Sequence, residues 1–281
     1  MAGLPLLDRV APGDHICWTV DDDRTRLDAI AAFVRTGLRA REKVIYSGDD
    51  CAAVLAGITA RGVAVQEPLH TGQLATETSA ESYLRDGVFD PETTIERFRD
   101  VMVQARGEGY PGLRAICDVS WALRRGPGVE LLPWYEAAVN TLFTDGFLTG
   151  VCVYDPRLLG QTELRRLICA HPGAATSTIP YDPNTSLRIR RTHEPPGLQL
   201  LGEADLSNRE ALATVVHEAV SAHDATIDLT SLRFADMAAA RILLTAAAAG
   251  PGKLRLVGCS PTLIRLLTSQ NAGAVPGLTV E

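Results

Sequence analysis

Alternation is the feature that most narrows what this chain can fold into. Short, continuous apolar runs are separated by stretches whose apolar residues recur at helical spacing. Lys43–Ser47, Leu113–Asp118 and Leu148–Tyr154 are such runs. They lack the apolar/polar alternation of a strand with one wet face and read as strands buried on both sides, as in a parallel sheet. Between them, Arg24–Ala40 places Leu27, Ile30, Ala31, Val34 and Leu38 on one stripe, with Asp23 in position to cap the first turn. Glu92–Arg106 does the same with Ile95, Phe98, Met102 and Ala105, and Glu130–Phe143 and Thr162–Ala170 read as further helices. Thr71–Ser79, rich in Gly, Thr and Ser, is expected to be a loop. The sum is an α/β fold: a parallel sheet with helices on both faces.

The alternation stops and restarts. Tyr181–Ser186 is a turn-rich break and the expected linker, which divides the chain into a first domain of residues 1–180, a linker of 181–186 and a second domain of 187–281. Beyond it come two short strands, Leu187–His193 and Leu198–Gly202, separated by Pro195, Pro196 and Gly197. Helix Asn208–Ala222, strand Thr226–Leu229, helix Met237–Ala249, strand Leu254–Val257 and helix Pro261–Thr268 complete a small α/β unit of ordinary domain size.

Charge excludes one class of partner. The net charge is −7, with 18 basic against 25 acidic residues up to Ser186 and 9 of each beyond it. Neither part carries a basic stripe, so nucleic acid is not an expected partner. No stretch is long and apolar enough for a membrane span, and Met1–Pro12 lacks the order of a signal peptide. A soluble, cytoplasmic protein is expected. The six cysteines are scattered without a CxxC pair, and Cys117 and Cys152 read as buried thiols in strands.

Phosphate chemistry finds little support in the first domain. A phosphate loop needs close-approach glycines, a lysine and a Ser/Thr for magnesium. The chain has only Lys43 and Lys253, and Lys43 opens a strand. The segment Gly13–Arg24 instead holds three consecutive carboxylates, Asp21–Asp23, which would repel a triphosphate. For metal binding, His15 and Cys17 point to one side of an extended segment, while Cys117, Cys152 and His171 lie at or near strand ends. Core packing is the expected role of these residues, so no metal, cofactor or catalytic residue is assigned. Asp118 and Asp155 near strand ends are candidates for acid–base work or for capping. With Trp18, Trp121 and Tyr154 they suggest a small, mostly apolar pocket with few polar anchors. The expected ligand-binding set is His15, Cys17, Trp18, Asp118, Trp121, Tyr154, Asp155 and His171.

Several strings carry a family resemblance: Gly13–Trp18, Gly37–Tyr46, Gly109–Trp121, Tyr135-Glu136, Cys152–Asp155 and His171-Pro172. Over Leu7–Ile179 the chain resembles MEDS domains, the sensory domains of methanogen and methylotroph regulators. That resemblance implies a RecA/KaiC-like fold with a degenerate phosphate loop, used to sense a small, hydrocarbon-type ligand. The second domain, Leu187–Glu281, resembles a STAS domain of the anti-sigma factor antagonist type through Ile227–Asp236 and the following helix. In such antagonists a serine or threonine directly after the aspartate is phosphorylated. Here Met237 follows Asp236, and methionine cannot accept phosphate.

The resemblance therefore implies contact through Leu232, Phe234, Asp236 and Met237 with an anti-sigma factor or serine-kinase-type regulator. The expected whole is a non-enzymatic signalling protein involved in transcription regulation. A homodimer is compatible with it, and coupling requires two domain arrangements whose balance the ligand biases. The alternative is a nucleotide- or metal-dependent enzyme in the first domain. A DNA-binding regulator lacks its usual helix-turn-helix and basic patch here.

Overall fold

The computed structural model describes residues 6–124, 126–221 and 224–281, leaving aside the side chains of Arg85 and Arg124. The expectations for Met1–Pro5 and for Ala222 lie outside the described residues.

The first unit runs β1 (His15–Thr19), α1 (Asp23–Arg39), β2 (Lys43–Ser47), α2 (Cys51–Thr59), α3 (Gln66–Thr71) and β3 (Leu74–Glu77). It continues with α4 (Ser79–Ser82), α5 (Pro91–Gly107), β4 (Leu113–Asp118), α6 (Leu132–Ala138), β5 (Leu148–Tyr154), α7 (Gln161–Ala170) and β6 (Gly173–Thr176). All its strands pair in parallel, in the order β3-β2-β4-β5-β1-β6. One face packs Ile16, Trp18, Val44, Tyr46, Ile116 and Val151 against α1 and α2. The other packs Cys17, Ile45, Cys117, Cys152 and Tyr154 against α5, α6 and α7. Helices thus cover both faces, as the apolar strands require.

Local chemistry sets the helix starts. Asp22, not Asp23, caps α1: its extended backbone lets the carboxylate accept the Thr25 N–H at 2.6 Å, while Asp23 is already helical. Asp90 caps α5 in the same way, accepting the Thr93 N–H at 2.8 Å ahead of Pro91. Asp90→Ala is expected to lower stability by about 1 kcal/mol in urea unfolding, because an orphan helix donor loses its acceptor.

Two further expectations are corrected, and one segment gains a strand. The supposed loop 71–79 contains β3, whose weakly strand-like sequence is held by pairing with β2. The single helix expected over Glu130–Phe143 is a short α6 flanked by 3₁₀ turns at Val129–Leu131 and Val139–Phe143. The segment leading into α1 contains β1, buried between β5 and β6.

The second unit comprises β7 (Arg188–His193), β8 (Pro196–Ala204), α8 (Arg209–Ser221), β9 (Ala225–Asp228) and β10 (Leu232–Ala235). Then follow α9 (Met237–Ala249), β11 (Leu254–Val257), α10 (Pro261–Ser269) and β12 (Leu278–Val280). The order is β10-β8-β9-β11-β12, all parallel, with β7 antiparallel on β8. Its core is built from Leu198, Leu200, Val215, Val216, Ile227, Leu243 and Leu256.

The connecting segment is embedded rather than loose. Tyr181 is buried in the first core, and its N–H bonds to the Leu6 carbonyl. Arg188 donates to the buried Asp14 carboxylate at 2.7 Å, and the Arg191 N–H bonds to the Thr144 carbonyl. Both α6 and α7 pack against α8.

Candidate functional site

The carboxyl ends of β1, β2, β4 and β5 open on a crevice, where ligands of parallel α/β sheets usually bind. Asp22, Asp23, Arg26, Asp118, Trp121 and Asp155 are among its lining residues, and its volume is about 200 Å³. Both of its arginines are engaged with its carboxylates. Arg26 donates to Asp118 at 3.0 Å and lies 3.5 Å from Asp23. Arg157 clasps Asp155 through two of its nitrogens, which holds the Asp155 carboxyl below its usual range. Asp118 also accepts the Ser120 N–H and hydroxyl. A crevice rich in carboxylates, with both of these arginines already paired, offers little to a polyphosphate.

A second constellation lies beneath the sheet. The pleat puts His15 and Cys17 of β1 on the face covered by α5, α6 and α7. Register then places Cys117, Cys152 and Cys17 at one level across β4, β5 and β1, with His15 opposite Gly150 one step earlier. Gly150 is required there: a Cβ would come within 2.8 Å of the Phe143 ring, which stacks on His15 at 4.4 Å. From above, α6 lowers Glu136, and the C-cap of α7 supplies His171. His15, Glu136, Cys152 and His171 are all buried.

Their hydrogen bonds fix their orientation. Asn140 gives its amide protons to backbone carbonyls of Glu136, Ala137 and Ala170, which turns its Oδ1 to accept from His15 Nδ1 at 2.9 Å. His171 Nδ1 donates to the Leu167 carbonyl at 2.7 Å. Both imidazoles therefore carry their proton on Nδ1 and turn a bare Nε2 inward. These nitrogens lie 3.5 Å and 3.4 Å from Glu136 Oε2. Glu136 Oε1 accepts the Tyr154 hydroxyl at 2.6 Å. Burial drives the neutral forms: Glu136 is pushed up to about 7, and His15 down to about 4. His171 is also held well below its usual range, by burial and then by His15.

The expected ligand-binding residues thus fall into separate places. His15, Tyr154 and His171 meet under the sheet, with Cys17 one row along. Asp118, Trp121 and Asp155 line the crevice, where Trp121 also stacks on Tyr83 at 5.1 Å. Trp18 is on the opposite face, its Nε1 donating to the Thr176 carbonyl at 3.3 Å. Glu136 and Asn140 are the residues that sequence reasoning missed as functional. Their signal is a polar pair four apart within an otherwise apolar helical stretch, where each needs a buried partner.

Burial also ranks the thiols. The Cys117 thiol is pushed up to about 12, chiefly by desolvation. Brief alkylation of the native protein, read by mass spectrometry, is expected to label the half-buried Cys51, Cys169 and Cys259 and to spare Cys117.

In the second unit, Asp236 caps α9, one carboxylate oxygen accepting the Ala239 N–H at 2.8 Å and the other the Leu206 N–H at 3.0 Å. Leu206, Phe234 and Met237 are about half exposed around this cap, while Leu232 is packed partly into the core. No described helix is long and apolar enough to cross a membrane.

Comparison with known proteins agrees with the two-part division. The sequence profile described as the methanogen/methylotroph, DcmR sensory domain (MEDS) matches residues 14–172, and the profile described as Mlab, STAS domain matches residues 187–278. Among solved structures, a KaiC-like protein of Pyrococcus horikoshii OT3 is 11% identical with a TM-score of 0.45, over 71% of this chain and 85% of that chain. The flagellar accessory protein FlaH of Methanocaldococcus jannaschii is 12% identical with a TM-score of 0.43, over 75% of this chain and 88% of that chain. None of the curated proteins matches the sequence. The first profile spans more than half of the chain, which therefore belongs to the MEDS family of sensory domains and carries a STAS domain behind it.

Proposed function

We propose that this is a non-enzymatic signalling protein, in which the MEDS domain senses a small ligand and the STAS domain passes the result to a protein partner. The partner class is an anti-sigma factor or a serine-kinase-type regulator, and the process served is transcription control in the cytoplasm. The observation that carries this reading is the start of α9. Asp236 caps the helix, and the next residue is a half-exposed methionine beside exposed Phe234 and Leu206. Apolar side chains grouped around a helix start suit contact with another protein, and this one takes no phosphate at position 237 that would expel it.

The paired charges of the crevice support a role other than nucleotide turnover, and the packing of α6 and α7 on α8 gives a route between the domains. A photo-crosslinker placed at Met237 tests the reading in the native cell. An adduct with a regulator of the named class, lost in Phe234→Glu, is expected. With ATP and magnesium the purified protein is expected to show no turnover, and hydrolysis abolished by Asp118→Ala would overturn the proposal.

A further inference from the structure

The converging side chains under the sheet have the geometry of a ligand set. We propose that His15, Glu136, Cys152 and His171 bind a divalent transition-metal ion of the zinc class, a site separate from the docking surface and independent of it.

Distance is the first support. His15 Nε2 lies 3.4 Å from Cys152 Sγ and 3.5 Å from Glu136 Oε2; His171 Nε2 lies 3.4 Å from Glu136 Oε2, and Cys152 Sγ 3.6 Å. All four atoms lie within 4.8 Å of one another. The edge of a tetrahedron is about 1.6 times its centre-to-corner length, so metal bonds of about 2.0–2.3 Å require edges of about 3.3–3.7 Å. Four contacts between ligand atoms already fall in that range.

Lone pairs are the second support. Each imidazole has its Nδ1 proton committed, to Asn140 or to the Leu167 carbonyl, so each Nε2 faces the others as an acceptor. His171 Nε2 is buried with no hydrogen-bond partner. The Cys152 thiol proton can serve His15 or Glu136 but not both. A buried acceptor left without a donor, as His171 Nε2 is, is costly in a desolvated interior; a cation at the centre satisfies it together with its neighbours.

Charge is the third. Two neutral imidazoles, one carboxylate and one thiolate around a dication sum to zero, the only balance that a buried site tolerates cheaply. Binding releases the thiol proton, and that of the carboxyl where present, to solvent. Asn140, the Leu167 carbonyl and Tyr154, the last on Glu136 Oε1, hold the ligands as outer partners of metal sites do. The mixed nitrogen, oxygen and sulfur set suits zinc-class ions better than magnesium or calcium. The adjoining cavity, about 20 Å³, has room for one water-sized group, which excludes a bulky cofactor.

The test uses the full chain with Cys51, Cys169 and Cys259 changed to serine, titrated with Co²⁺ and then Zn²⁺. The expected result is about one equivalent bound, with a thiolate-to-cobalt charge-transfer band that zinc removes. Cys152→Ser is expected to abolish the band, and Cys117→Ser, one strand away, to keep it. Asn140→Ala is expected to weaken binding by about 10–100-fold. A folded protein that binds neither ion, or shows no thiolate band, overturns the proposal; so does a band that survives Cys152→Ser. Should Cys152→Ser fail to fold, the band in the parent and in Cys117→Ser decides the matter.

Discussion

Replacing Arg188 by methionine is expected to destabilise the protein by about 3 kcal/mol, because it strands a buried carboxylate. Asp14 sits in the turn before β1 with its side chain 1% exposed, and Arg188 at the start of the second unit donates to it at 2.7 Å. What remains for Asp14 is the Ala11 N–H at 2.9 Å and a hydrogen bond with Tyr181. Urea unfolding measures the loss. The double variant Asp14→Asn with Arg188→Met is expected to recover part of it, since neither charge is then left alone. A single substitution that costs less than about 0.5 kcal/mol, as at an ordinary surface site, would show that the pair does not tie the domains together.

A larger loss is expected from Glu42→Ala, about 3–5 kcal/mol. Arg114 of β4 is buried, its guanidinium 4.6 Å from the centre of the Phe33 ring and its Nε donating to Glu42 Oε2 at 2.7 Å. Removing the carboxylate leaves a buried guanidinium under α1 without the acceptor it donates to. The comparison that isolates this cause is Glu42→Ala with Arg114→Met, which removes both charges and is expected to be less destabilising than Glu42→Ala alone. Equal losses in the two proteins would assign the effect to packing.

Legibility in the sequence followed burial. Lys43–Ser47, Leu113–Asp118 and Leu148–Tyr154 lie where expected, because strands buried on both faces must be apolar throughout. Leu74–Glu77 gives no such signal: an edge strand with one partner needs little more than a chain that β2 can pair with. The constellation under the sheet was half legible. His15 and Cys17 share a side by strand periodicity alone and His171 is expected in the same ligand set, but nothing local says that residue 136 of a helix will meet them. That meeting depends on how α6 and α7 cross the sheet, which is set by long-range packing. Likewise Trp18 looks like a neighbour of His15 in sequence, yet the pleat sends adjacent residues to opposite faces.

The embedded connector has a consequence for how the two domains can move against each other. With Tyr181 locked in one core, Leu187 in the other, and helices packed across the junction, there is no slack segment about which one domain can swing. Movement between them must then be of the shear kind, small slides of α6 and α7 along α8 in place of hinge opening. On the signalling role proposed above, the response to ligand is expected as a shift of a fraction of a helical turn at that seam, not as a change in molecular shape.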